Sequence, residues 1–119
     1  MNTLLVVATV VEALAAIAFI AAPAAALAPF GVTLEPASIS IARLFGSAVL
    51  AFPVLLWHAR ASADAGLKRV AVRTLIVYWL ASAAIIAITL LGGLMDAPGW
   101  SLVTTHVVLA IWSAALLRK

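Results

Sequence analysis

The sequence predicts an all-α protein, an integral membrane four-helix bundle with both termini cytoplasmic. Three observations carry that expectation. The 119 residues are 67% hydrophobic and 9% charged, with a mean hydropathy of +1.28, whereas a soluble domain is about a quarter charged. Four apolar stretches each approach the roughly 20 residues needed to cross about 30 Å of hydrocarbon. The basic residues gather on one side of the four-span plan. In water this chain would expose large apolar patches; in lipid the same surface is an asset.

A single transmembrane domain is expected over residues 1–119, with spans near 3–27, 38–57, 70–91 and 98–117. The first begins after Met1-Asn2-Thr3, which carries no Lys or Arg, so it is expected to be a retained span and not a signal peptide, despite the small residues of Ala21–Ala28. Pro23 and Pro29 break its end. The second span contains Pro53, which should kink it; membrane helices tolerate this when neighbours satisfy the freed carbonyl. Gly31, Pro36, Gly92, Gly93, Asp96 and Pro98 punctuate the turns. Pro36 and Pro98 suit a first helical turn, where a missing N–H is no loss. The basic loop, about residues 60–67, is too short for a soluble domain.

Orientation follows from charge. Arg60, Lys68, Arg69, Arg73, Arg118 and Lys119 fall on one side; Glu35 and Asp96 occupy the opposite loops with no basic residue. Basic residues mark the cytoplasmic side, which predicts an N-in, C-in protein of a bacterial inner membrane. Trp57 and Trp100 fall near opposite interfaces.

Ionisable groups at membrane depth are costly and mark candidate sites. Glu12, Arg43 and His106 qualify, and Tyr78 adds a phenol on the third span. A rise of about 1.5 Å per residue puts them about 13, 22, 18 and 13–16 Å from the cytoplasmic boundary. Ala8, Glu12, Ala15 and Ala16 share one helix face, and Ala42 with Gly46 offers small residues beside Arg43 and Ser47. Thr74, Tyr78, Ser82 and Thr89 form a stripe, as do His106, Ala110 and Ser113. The expectation is a polar core of Glu12, Arg43, Tyr78 and His106. Two readings of that core stand side by side. One is a buried Glu12–Arg43 ion pair, bridged by His106 or Tyr78, that fixes helix register. The other is a proton or ligand site in which Glu12 takes up and releases a proton. His106 is also a candidate pigment or haem ligand, although the other histidine, His58, lies at the far end of its span.

Several residues support a family resemblance. Pro29-Phe30-Gly31 precedes Ile41-Ala42-Arg43-Leu44-Phe45-Gly46; a basic loop, a third span, and Gly99-Trp100 leading to His106 follow. This arrangement resembles the DoxX-like small four-helix bacterial membrane proteins over most of the chain. The resemblance implies the four-helix plan and, through the association of DoxX with a thiosulfate:quinone oxidoreductase, a quinone as a cofactor. It carries over no catalytic residue. Length, span number and the position of Glu12 are similar to those of small multidrug transporters, although Ala13-Leu14-Ala15-Ala16 departs from that family's Gly/Thr pattern. The segment from His106 to Trp112 resembles the single-histidine pigment sites of light-harvesting helices.

Composition excludes other classes. With no cysteine, disulfides, Cys-ligated zinc, iron–sulfur clusters and thiol catalysis are ruled out. Seven basic residues on so apolar a chain make no phosphate-tracking surface, so no nucleic-acid partner is expected. No nucleophile–base pair, paired carboxylates, phosphate loop or metal cluster is visible. The leading expectation is a non-catalytic accessory or scaffolding subunit of a membrane complex or homo-oligomer, with no obligatory cofactor and no metal. The alternatives are a proton-linked transporter or lipophile-binding protein using Glu12, and a quinone- or pigment-associated redox subunit, with haem or chlorin held by His106.

Overall fold

Alanine and leucine dominate the N-terminal apolar run and favour helix, giving α1 over Asn2–Ala21. The helix stops at Ala22, whose φ of −146° and ψ of 61° leave the helical region that a following proline disfavours. Pro23 then starts the short α2, Pro23–Leu27, followed by a 3₁₀ turn over Ala28–Phe30. Gly31 closes this turn at φ 72°, a left-handed conformation that glycine adopts without penalty. These elements make up the computed structural model, which describes residues 1–118; Lys119, assigned above to the basic end, lies outside them.

The second apolar stretch forms α3 (Pro36–Val49) and α4 (Ala51–Ala61). The predicted kink therefore falls at Leu50, three residues ahead of Pro53. Proline has no N–H to bond the carbonyl four residues back, and its ring crowds that carbonyl, here on Val49. The third stretch is α5 (Ala65–Leu91), begun by Asp64, whose carboxylate accepts from the Gly66 N–H at 2.7 Å. A 3₁₀ turn at Ala97–Gly99 leads into α6 (Trp100–Leu117). The second helical stretch extends beyond the expected 38–57 at both ends, and α5 starts five residues before the expected 70. Pro36 opens α3, and the Asp64 side chain caps the added turn of α5. Among the described residues the fold is all-helical, with four helical stretches long and apolar enough to cross a membrane.

The helices associate as two hairpins. α1 packs along α3 and α4, α5 packs along α6, and α4 joins the hairpins by meeting α5. Gly46 permits the closest approach: a Cβ built there would lie 2.8 Å from the Phe19 Cβ and 3.0 Å from the Ala16 carbonyl oxygen. Phe19 and Phe45 extend this contact edge to face, with centroids 5.3 Å apart.

The two ends of the molecule are closed differently. At the basic end, Leu4, Leu5 and Ala8 interlock with Leu56, Ala59, Ala71, Val72 and Leu75, all fully buried. Lys68 Nζ donates to Asn2 Oδ1 at 3.1 Å above them, and the Arg60 guanidinium sits 4.0 Å over the Trp57 ring. At the acidic end the two loops meet through the backbone, where the Asp96 N–H donates to the Phe30 carbonyl at 2.8 Å. The principal extents are 45 × 26 × 16 Å, so the bundle is flattened, not square in section.

Candidate functional site

Between the packed basic end and the acidic-end clasp, the hairpins separate. The gap is a partly open cavity of about 340 Å³, lined from α1, α2, α3, α5 and α6. Its walls are apolar, including Phe19, Phe45, Ile86 and Leu102, and its polar groups are Glu12, Tyr78, Ser82, Thr105 and His106. Ligand pockets commonly have this composition: about 300–1,000 Å³, mostly apolar, with a few convergent polar groups.

Glu12 is 3% exposed. Ala8 and Ala16, one turn to either side, are also buried, so the small-residue face of α1 turns inward and takes the carboxylate with it. Its partner is Trp79 on α5, fully buried, whose indole Nε1–H donates to Glu12 Oε1 at 2.7 Å. This bond links the two hairpins at the base of the cavity. A hydrogen bond to a carboxylate is shorter and stronger than a neutral one, and here it lies away from water. The Tyr78 hydroxyl lies beside the Glu12 carboxyl and the Ser82 hydroxyl. The Tyr78 ring stacks on Phe52 at 4.7 Å and faces the His106 ring at 6.4 Å.

His106 is half-buried on α6, with its Nδ1 2.7 Å from the Leu102 carbonyl oxygen. A carbonyl only accepts, so Nδ1 carries the hydrogen. In the neutral ring, Nε2 is therefore the lone-pair atom. The Thr105 hydroxyl donates to its own helix at Ser101. Thr74 and Thr89, counted above in the polar stripe of α5, likewise donate to carbonyls one turn back, and neither lines the cavity.

Arg43 is not part of this group. It is exposed on the outside of α3, and no ion pair joins it to Glu12 among the described residues. The expected Glu12–Arg43 register lock is corrected on geometric grounds. Packing of Gly46 against α1, with Ala42 one turn before it, fixes the inward face of α3. An adjacent residue is turned by about 100°, so Arg43 points off the flank. Its long side chain suits that position, because the stem can lie along apolar surface while the charged head stays outside the bundle.

The structure thus brings together three of the four residues singled out from sequence, Glu12, Tyr78 and His106, and adds Trp79. A signal for Trp79 was present in the sequence. Trp57 and Trp100 sit near helix ends and are about half exposed, as belt residues are, whereas Trp79 falls in mid-span. A mid-span indole N–H has to find an acceptor within the protein. His58 lies exposed on α4, with Nδ1 bonded to the Val54 carbonyl at 2.8 Å, and does not line the cavity with His106. The described residues contain no cluster of three or more His, Cys, Asp or Glu suited to a metal. Comparison with protein-family models, curated proteins and solved structures finds no match for this chain.

Proposed function

We propose that this chain is a membrane protein that binds a lipophilic small molecule between its two hairpins, with the polar end of the ligand against Glu12, Tyr78 and His106. One observation carries the reading: a partly open, apolar cavity with a buried carboxylate at its polar end. A residue that served only to lock helix register would be enclosed by its partners. Glu12 instead uses one oxygen for Trp79 and also faces the cavity. Lipophile binding is thereby favoured over a purely scaffolding role. The basic end is assigned to the cytoplasm and the clasp to the outer side of a bacterial inner membrane, on the strength of the charge asymmetry. The DoxX-like resemblance adds the four-helix plan and no site residue; a quinone is one lipophile of suitable type.

The reading is tested by native mass spectrometry of protein extracted gently from its own membranes. The wild type should carry a small lipophile at a stoichiometry near one. Ile86→Trp, which fills the cavity, should lose it while remaining folded by circular dichroism. Identical adducts on both proteins would sink the proposal.

Association is a second reading, favoured by shape. The molecule is only 16 Å across its thinnest dimension, and Ile41, Leu44, Ile85, Ile88 and Leu91 are each at least 65% exposed. A partner helix, from another copy or from a larger complex, would find exposed apolar side chains on α3 and on α5. Cross-linking in the membrane distinguishes a monomer from an oligomer.

A further inference from the structure

We propose that the basic end of the α4–α5 hairpin binds an anionic phospholipid of the surrounding leaflet, with the headgroup among Arg60, Lys68, Arg69 and Arg73 and the acyl chains along the apolar helix faces below. This rests on the assignment of the chain to a membrane and is independent of what the cavity holds, since none of these residues lines it.

The charge here has no counter-ion in the protein. Residues 62–64 alone separate α4 from α5, so the end of one helix and the start of the other bring the four cations to one place. The single acid between positions 58 and 73 is Asp64, and its carboxylate caps α5 by accepting from the Gly66 N–H. Lys68 bonds only the neutral amide of Asn2. Among the described residues no carboxylate pairs with any of the four. Arg60 is half-buried, and its Nε–H is buried without an acceptor. The guanidinium lies 4.0 Å over the Trp57 ring; the stack occupies one face of the cation and none of its N–H groups. A guanidinium held in place with unused donors matches phosphate oxygens.

The apolar surroundings choose a lipid over a soluble anion. On α5, Arg69, Arg73, Val77 and Leu80 follow one another at four, four and three residues, all exposed, so they share one face. That face is turned away from the buried Ala71, Val72, Leu75 and Trp79. It passes from cations to aliphatic side chains in the direction of the bilayer interior. On α4, Arg60, Trp57 and Val54 pass from cation through indole to aliphatic in the same direction, with Trp57 and Val54 exposed. Setting topology needs basic residues only in the loop. Arg73 instead lies about 12 Å along α5 from its start, where its stem can follow the helix and its head return to the phosphate level. A zwitterionic head would add an ammonium to four unpaired cations; an anionic one does not.

The test is native mass spectrometry of the full chain in neutral detergent, titrated with dioleoyl phosphatidylglycerol or dioleoyl phosphatidylcholine. The wild type should retain the anionic lipid about fivefold or more better than the zwitterionic one. Arg60→Gln and Arg73→Gln should each lower that retention about fivefold, the scale of one cation beside anionic lipid. Trp57→Leu keeps every charge but frees the Arg60 side chain, and should also lower it. Arg118→Gln removes the same charge from the far end of α6 and should change little. Glycerophosphoglycerol, the same head without acyl chains, should not displace the bound lipid. Circular dichroism and elution volume establish folding; should Arg60→Gln not fold, Arg73→Gln and Trp57→Leu carry the test. Equal retention of the two lipids by the wild type overturns the proposal. So does an Arg118→Gln loss as large as those at Arg60 and Arg73, which would mean diffuse attraction without a site. Displacement by glycerophosphoglycerol would make the occupant a soluble anion and overturn the lipid. Each of these results leaves the cavity reading intact.

Discussion

The basic and acidic halves of this bundle are built from similarly apolar sequence, yet one is packed and the other is open. In the basic half, leucines and alanines from α1, α4 and α5 meet at a single level: Leu4, Leu5, Leu56, Ala59, Val72 and Leu75 are fully buried. In the acidic half the hairpins are tied by backbone at Asp96 and Phe30 but leave a cavity of about 340 Å³ beneath. Residue size differs between the halves. Alanines at 8, 59 and 71 let the two hairpins converge, whereas in the acidic half the larger side chains of Phe19, Phe45 and Leu102 line the gap between them. In lipid no hydrophobic force closes such a gap, since acyl chains are as apolar as leucine. The polar residues lie where the packing ends, and Glu12–Trp79 marks the boundary.

The largest test of this contrast is a pair of truncations. Leu75→Ala removes a side chain from the packed half and should cost about 2 kcal/mol or more, because the neighbouring side chains lose contacts that lipid does not restore. Ile86→Ala borders space that already exists and should cost less than half as much. Unfolding in mixed micelles titrated with SDS measures both; equal losses would mean that the halves are equally packed.

Next in size is the boundary bond. Trp79→Phe keeps an aromatic ring but deletes the N–H along with part of the fully buried indole, leaving Glu12 Oε1 without its donor. A loss of about 1–3 kcal/mol is expected from the unsatisfied buried acceptor, with the lost packing added to it. Glu12→Gln retains an acceptor and should lose less. If Trp79→Phe proves neutral in the same unfolding assay, the bond does not join the hairpins.

The smallest effect is expected at the solvated rim. Lys68→Met removes the contact to Asn2 at 3.1 Å; exposed polar contacts contribute little, so a change under about 0.5 kcal/mol is expected. A larger loss would show that the packed half depends on its polar fringe as well as its leucines.

Much of the candidate site was legible in the sequence. Glu12, Tyr78 and His106 stood out because ionisable and phenolic groups at mid-span are costly, and their depths agreed from helical rise alone. Arg43 stood out for the same reason but lies on the outer flank. Depth depends only on position along a helix, whereas facing depends on how each helix is rotated against its neighbours. A one-residue step turns a side chain by about 100°, and the i, i+4 pair Ala42 and Gly46 set that rotation for α3 without regard to Arg43. Trp79 was passed over among the apolar residues, although its mid-span indole N–H had to find an acceptor within the protein; which acceptor depends on the packing of α5 against α1.

By itself, then, the sequence determined the helical class, the four apolar stretches, the charge asymmetry between the ends and the position of each polar group along its helix. All of these follow from composition and a fixed rise per residue. Only the tertiary structure decided that Glu12 meets Trp79 and not Arg43, that one half packs while the other holds a cavity, and that Glu12, Tyr78 and His106 line it. Those features arise from contacts between helices far apart in the chain, where a single glycine or phenylalanine sets the spacing between backbones.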